Sequence, residues 1–244
     1  MKFSGDVIKH GLLHFLFPRA CVCCGCDLPY DTDDYICKTC AGQFVRPGPL
    51  FCQRCGVNLP SGGAHCHACR GSKAKTYKCR LIRSAWVFNA PSRAFVHGLK
   101  YAGNDYLARS MGRQLAQNFS AYKELADTEL IVPVPLFAHK ERQRGYNQSE
   151  LLARAFCKHT GLPLDTGALV RTRDTLSQTK LGRTARLANM QGAFSCPVPM
   201  RVKGKIILLV DDVATTGATL EGCATALRQA GAKRVMAYTY AREN

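Results

Sequence analysis

Acidic residues are scarce in this chain: 17 Asp and Glu face 34 Lys and Arg among 244 residues, a formal net charge of +17. That balance excludes an acidic surface built to repel polyanions. Long apolar runs are also missing, since none approaches the ~20 residues that cross a bilayer. No transmembrane segment is therefore expected. The opening stretch MKFSGDVIKHGLLHFLF has an apolar stripe, but Asp6, Lys9, His10 and His14 interrupt it. It lacks the unbroken apolar stretch of a signal peptide and reads as a short amphipathic helix. Pro-rich, Ser-rich and single-residue tracts are absent, which excludes a long disordered arm. These absences together point to a cytoplasmic protein.

What is present is the composition of a folded chain, 46% apolar and 21% charged, and globular throughout. The length allows a core of roughly 150 residues plus a small additional domain. We expect the division at residue 80, with both parts basic: +6 over residues 1–80 (11 basic, 5 acidic) and +11 over 81–244 (23 basic, 12 acidic). Such an excess attracts nucleic acid or a phosphate-rich metabolite. A generally basic surface without a specific partner is the plainer alternative.

Eleven of the 14 cysteines precede Leu81, and eight form Cys-x2-Cys pairs: Cys21/Cys24, Cys37/Cys40, Cys52/Cys55 and Cys66/Cys69. Two thiolates two residues apart can share one Zn2+ at about 2.3 Å, and a second pair completes a tetrahedron. Disulfides are the poorer explanation in a reducing cytoplasm. CVCCGCDLP (Cys21 to Pro29) and CQRCGVNLP (Cys52 to Pro60) repeat one pattern with a displacement of 31 residues, and their partner pairs are displaced by 29. Gly25 and Gly56 follow the second cysteine, where positive φ lets amides approach sulfur. The repeat predicts two tandem zinc ribbons: Cys21, Cys24, Cys37, Cys40, then Cys52, Cys55, Cys66, Cys69. A cross-braced pairing uses the same ligands. Cys23/Cys26 offer a second register and His65 and His67 substitute ligands, but the repeat argues against both. A closed four-cysteine site has no open position for catalysis, so the ions are read as structural. RGSKAKTYKCRLIR (Arg70 to Arg83) follows with six basic residues and no acid, as a solvated or a phosphate-contacting linker.

From Ala85 onward strand-like and helix-like segments alternate, which predicts an α/β fold with a mainly parallel sheet. Expected strands are Leu130 to Leu136, Lys205 to Val210 and Arg234 to Ala241. Expected helices are Asn104 to Phe119, Asn147 to Gly161 (Ser149 as N-cap, Gly161 past the end) and Ala218 to Gly231. Between the second of these strands and the last helix lies Asp211-Asp212 followed by VATTGAT. Ligands of open α/β sheets bind at the carboxyl ends of strands. Backbone amides from Ala214 to Thr219, with the Thr215, Thr216 and Thr219 hydroxyls, can enclose a phosphate at a helix N-terminus, and Gly217 permits close approach. Two carboxylates beside such a pocket would repel the phosphate unless they hold ribose hydroxyls or serve Mg2+ indirectly. The stretch is not a Walker A loop, because no Gly-Lys-Ser/Thr ends it. A plain βα turn with incidental acids is the alternative.

ILLVDDVATTGATL (Ile207 to Leu220) resembles the phosphoribosyl pyrophosphate motif of type I phosphoribosyltransferases. With CVCCG, ICKTC, FCQRCG, GLKYAGN, IVPVPLFAHKERQRGYNQSELLARAF and SQTKLGRTARLANMQGAF in order, the whole chain resembles the ComF/GntX-like family. The resemblance implies a double zinc ribbon joined to a Rossmann-like phosphoribosyltransferase domain, linked to natural transformation or to use of DNA as a nutrient. It implies that Asp211 and Asp212 hold the ribose hydroxyls, and that Ala214, Thr215, Thr216, Gly217, Ala218 and Thr219 hold the 5′-phosphate, with Mg2+ accompanying the ligand. Pro133, Val134 and Pro135 occupy the pyrophosphate-loop position. Arg171, Gln178 and Arg186 stand on a stretch resembling the mobile loop that closes over substrate, or on an exposed basic loop.

As an enzyme such a chain would pass the ribosyl group from pyrophosphate to a nitrogen acceptor, but no segment marks an acceptor pocket or a general base. The alternative is a single-stranded-DNA-binding factor, with phosphoribosyl pyrophosphate or a DNA 5′-phosphate as ligand or regulator. Lys100, Tyr101, Arg142, Arg144, Tyr146, Arg183 and Arg186 would supply phosphate contacts and stacking faces, and Lys140 a further charge. Expected partners are DNA and proteins of DNA uptake, reached at the inner membrane through them.

Overall fold

The computed structural model describes residues 19–29, 34–70, 77–101, 103–174, 190 and 192–243. The expected N-terminal helix, residues 71–76 of the basic linker, and Gln178, Arg183 and Arg186 lie outside these residues. Four strands form one sheet: β1 (Cys79–Val87), β2 (Leu130–Pro133), β5 (Ile206–Ala214) and β6 (Arg234–Arg242). Their order is β1-β6-β5-β2 and every pairing is parallel. Two-residue strands β3 (Val170–Arg171) and β4 (Phe194–Ser195) pair antiparallel beside it.

Side-chain alternation along the strands creates two cores, as the period of two requires. Ile207 and Leu209 of β5, with Val235 and Ala237 of β6, face α5 (Ala218–Gln229) through Leu220, Cys223 and Leu227. Leu208, Val210, Met236 and Tyr238 face the opposite layer. That layer comprises α1 (Ala90–Tyr101), α2 (Leu107–Phe119) and α4 (Gln148–Thr160). A further short helix, α3 (Ala138–Arg144), follows β2. Helix α4, reached from β2 through α3, and helix α5, which follows β5, therefore cover opposite faces of adjacent strands. Their divergence opens a crevice at the carboxyl ends of β2 and β5.

Several boundaries differ from expectation for local reasons. Strand β1 begins at Cys79, inside the run read as linker, because Arg83 there is buried rather than solvated. Its guanidinium donates to Glu124 at 2.6 Å and to the Gln53 carbonyl at 2.9 Å, and lies over the Phe51 ring. Strand β5 runs through both acids to Ala214, so Ala214 is strand rather than loop. The N-cap of α4 is Asn147, whose side chain accepts the Ser149 amide at 3.0 Å. Ser149 is thereby freed for another contact. Gly161 ends α4 in the left-handed region as expected.

The ribbons dock on this frame through specific contacts. Residues 34–44 of the first pack on α1, α2 and β1: Tyr35 against Tyr106 with ring centroids 4.2 Å apart, Phe44 against Trp86 at 4.6 Å, and Asp34 to Arg113 at 2.7 Å. Residues 53–56 of the second lie along β1, where the Ile82 amide donates to the Arg54 carbonyl at 2.7 Å.

Helices α2 and α4 cross so closely that a Cβ placed on Gly112 would lie 2.4 Å from the Ala155 Cβ and 2.7 Å from its carbonyl carbon. Backbone cannot yield as a flexible side chain does. Gly112→Val is expected to lower stability by about 3 kcal/mol, read as a lower urea midpoint at unchanged slope; an unchanged midpoint would contradict this close packing.

Candidate functional site

The cysteines come first in the chain and are resolved simply. Cys21, Cys24, Cys37 and Cys40 form one cluster, and Cys52, Cys55, Cys66 and Cys69 another, with all ligand atoms of each cluster within 4.8 Å of one another. The pairing is sequential, not cross-braced, and neither His65, His67, Cys23 nor Cys26 belongs to a cluster. Cys24 and Cys37 sulfurs lie 3.8 Å apart, and Cys55 and Cys66 sulfurs 3.6 Å apart. Four thiolates at about 2.3 Å from one Zn2+ have tetrahedral edges of about 3.8 Å, so both sets fit the ion. The repeat extends to backbone bonds. Cys21 N donates to Cys26 O and Cys52 N to Val57 O, each at 2.8 Å. Gly25 and Gly56 have φ of 73° and 71°. Cys37 N and Cys55 N donate to the Cys21 and Cys52 sulfurs at 3.4 and 3.5 Å. Such amides favour the thiolate form that a metal needs.

The second site lies at the crevice. Because β5 stays extended through Asp211 and Asp212, both carboxylates are held inside the sheet end, 8% and 4% exposed. Asp211 Oδ1 accepts the Ser149 hydroxyl at 2.6 Å and the Asp212 amide at 2.9 Å. Asp212 Oδ1 accepts Gln148 Nε2 at 3.4 Å, and its Oδ2 pairs with the Lys100 ammonium. Burial, then the neighbouring Asp212 charge, push the Asp211 carboxyl up to about 8. Burial also works against ionisation of Asp212, but the Lys100 ammonium outweighs it and holds this carboxyl below the ordinary range. Lys100 is raised in turn, because Asp212 overcomes the burial that opposes its charge. Near neutral pH the two carboxyls thus share one negative charge, and Lys100 cancels it.

Beyond the acids the chain turns through exposed Thr215, then Thr216 and Gly217, into α5. Gly217 stands at the N-cap with φ 78° and no side chain caps the helix. The Thr216 hydroxyl takes the Ala218 amide at 3.3 Å, and Thr219 lies in the first turn. Apart from the Ala218 amide taken by Thr216, the helix start presents its backbone donors and the positive dipole end to an anion.

A cavity of about 570 Å3 adjoins the acids, lined by Lys100, Tyr101, Gly103, Leu136, Lys140, Gln143, Arg144, Gln148 and Arg171. Four of these are cations and none is an acid, so the cavity attracts negative charge. Lys100 and Gln148 connect it with Asp212 directly. Tyr101 is 74% exposed, with the Arg144 guanidinium 5.7 Å from its ring centre. Lys140 lies 3.8 Å from Asp174, and Arg171 stacks over Phe194 at 5.6 Å.

The residues singled out by sequence divide accordingly. Lys100, Tyr101, Lys140, Arg144 and Arg171 converge on one cavity. Arg142 is exposed away from its lining, and the Tyr146 hydroxyl is bonded to the Leu99 carbonyl at 2.6 Å. Pro133 and Pro135 have no amide hydrogen, and Val134 N donates to Val210 O at 3.0 Å. This turn contributes shape to the crevice, not backbone donors. Gln148 and Ser149 were missed as acid partners. Their signal was the polar triplet Asn147-Gln148-Ser149 heading an apolar helix, all three buried.

The double zinc ribbon domain family matches residues 12–70 and the phosphoribosyl transferase domain family residues 145–244. The DNA utilization protein YhgH of Salmonella typhimurium is 30% identical over 225 residues, covering 91% of this chain and 96% of that one. Competence protein F of Haemophilus influenzae is 28% identical over 211 residues, covering 85% and 90%. Among solved structures, the glutamine phosphoribosylpyrophosphate amidotransferase of B. subtilis, complexed with ADP and GMP, aligns with a TM-score of 0.36 and 25% identity over 53% of this chain and 25% of that chain.

Asp211 supplies a pH signature. Its folded value, near 8, lies above the unfolded value of ~3.9, so its contribution to stability is full below about pH 4 and is lost as pH rises through 8. Asp211→Asn is expected to remove that loss, so that denaturation curves of the variant gain on the wild type between pH 5 and 8; a difference that is flat across this range would contradict the burial of this carboxyl as its proton-bound form.

Proposed function

The chain belongs to the ComF/GntX-like family, and from that premise we propose that it is a cytoplasmic factor of DNA uptake or utilisation whose 81–244 domain binds phosphoribosyl pyrophosphate, with the ribbons and linker of 1–80 as its second unit. The observation that carries this reading is a charge-balanced acid pair flanked on one side by an uncapped helix start and on the other by a cavity of four cations. Asp211 and Asp212 take the ribose hydroxyls. Ala214 to Thr219 take the 5′-phosphate. Lys100, Lys140, Arg144 and Arg171 face the pyrophosphate, and Lys100 balances Asp212 as well. Among the described lining residues there is no carboxylate, so Mg2+ would arrive on the pyrophosphate and supply charge neutralisation there. Among the lining residues there is also no imidazole or carboxylate to act as a base. Binding is thus better supported by these residues than transfer to an acceptor.

DNA enters the proposal through the relatives named for competence and DNA utilisation, and through Tyr101. An exposed ring beside an arginine at the mouth of a cationic cavity is a stacking face for a nucleobase. A single strand would lie across Tyr101 and Arg144 with its phosphates toward Lys140. The inner-membrane uptake proteins are the expected partners that deliver it.

Asp211→Asn combined with Asp212→Asn is expected to abolish phosphoribosyl pyrophosphate binding in calorimetry while leaving single-stranded DNA binding within about threefold, and the DNA affinity should fall steeply with salt. Equal loss of both ligands in a folded variant, or a DNA affinity insensitive to salt, would contradict a DNA surface that shares Lys140 and Arg144 with the pyrophosphate but does not depend on the acid pair.

A further inference from the structure

The second metal cluster lies against the helix start proposed to hold phosphate, and three contacts join them. Arg54, between ligands Cys52 and Cys55, donates through Nη1 to the Cys69 sulfur at 3.5 Å and through Nη2 to Glu221 Oε2 at 3.2 Å. Glu221 stands in the first turn of α5, where its amide donates to the Gly217 carbonyl at 2.9 Å and closes that turn. Its carboxylate also accepts the Lys78 amide at 2.5 Å and the Cys79 amide at 3.2 Å, fixing the start of β1. Ile82 of β1 fills the remaining space. A Cβ on Gly56 would lie 2.7 Å from the Ile82 carbonyl oxygen, and one on Gly217 2.9 Å from Ile82 Cδ1. One residue is therefore wedged between the metal knuckle and the loop.

Electrostatics gives the arrangement a direction. A bare carboxylate one turn into a helix would repel an anion at its N-terminus. Arg54 cancels that charge, and its side chain is only 11% exposed, against 14% for Glu221. The same guanidinium donates to a metal-bound thiolate, a contact that orients the ligand and moderates its charge. Released from the metal, Cys69 would no longer fix Arg54, and Glu221 would lose its counter-ion. Among the described residues the first cluster has no such path: its contacts run to α1, α2 and β1 through Val22, Tyr35 and Phe44.

We propose that the second zinc ribbon is a working part of the phosphate site, with Arg54 and Glu221 as positioning residues and Ile82 as the wedge, so that metal in the Cys52, Cys55, Cys66, Cys69 cluster and an anion on the α5 loop strengthen each other's binding. The inference rests on the phosphoribosyl pyrophosphate reading. Coupling between two sites is reciprocal: whatever factor the metal adds to anion affinity, the anion adds to metal affinity.

The test uses the full chain carrying zinc at both clusters, with phosphoribosyl pyrophosphate as probe. Zinc transfer to a chelating dye is followed with and without the probe, and calorimetry is run on the same sample. One of two release phases is expected to slow about tenfold with the probe, while the other stays unchanged. Arg54→Ala should accelerate that phase, erase its response to the probe and weaken probe binding about tenfold. Arg54→Lys, which keeps a cationic donor between Cys69 and Glu221, should restore much of the response, which a merely structural loss would not allow. If Arg54→Ala fails to hold zinc at all, the wild-type comparison still decides. Binding of the probe with no change in either release phase would overturn the coupling and leave the binding reading intact. No binding to the wild type would overturn both.

Discussion

Two adjacent carboxylates buried at the end of β5 set the terms for everything around them. Water does not reach Asp211 and Asp212 freely, and they cannot both remain ionised without compensation. The fold supplies it with three side chains from two elements: Lys100 from the end of α1, and Gln148 and Ser149 from the start of α4. The electrostatic difficulty raised by the sequence, acids beside a phosphate pocket, is thereby resolved. One carboxyl keeps a proton and the other a counter-ion, so the pair presents hydrogen-bonding groups with little net charge. With Lys100 spent on Asp212, the positive charge offered to an incoming anion comes from Lys140, Arg144 and Arg171.

This dependence explains the placement of the helices. Helix α4 brings the polar head of its sequence to the acids because Asn147, capping from outside, leaves the Ser149 hydroxyl free. Helix α1 must end near the crevice for Lys100 to reach Asp212, and the first ribbon buttresses α1, α2 and β1 through Val22, Tyr35 and Phe44. The second ribbon buttresses the opposite side, at β1 and α5. Neither ribbon has an open metal position, and neither needs one. An ion held by each four-cysteine cluster would lend its binding energy to the rigidity of a surface against which the sheet is packed.

Much of this was legible in the sequence, and the misses have physical reasons. The ligands of both clusters could be read because a two-residue spacing and a repeat leave little freedom, and the sequential pairing followed from the repeat. The strand, the acid pair and the turn into α5 could be read because apolar residues, acids and hydroxyls are contiguous. Lys100, Tyr101, Lys140, Arg144 and Arg171 were picked out, but as parts of different surfaces; only the tertiary fold brings residues 100 to 171 around one cavity. Helix α1 was not foreseen, and the start of β1 was hidden in a basic run. Charge patterning treats Arg83 as solvated, whereas its partners Glu124 and Gln53 come from distant segments. Ser149 was read as a cap because a polar residue at a helix start usually serves the backbone. Here Asn147, two residues earlier, does so.

The function of the domain turns on what the acid pair holds. A crystal structure of the chain with phosphoribosyl pyrophosphate and Mg2+ is the most direct test. The ribose hydroxyls are predicted within hydrogen-bond distance of Asp211 and Asp212, with the 5′-phosphate on the amides between Thr215 and Thr219 and the pyrophosphate among Lys100, Lys140, Arg144 and Arg171. A ligand bound elsewhere on the chain, with Lys100 and Gln148 still closing Asp212 and the loop empty, would contradict it.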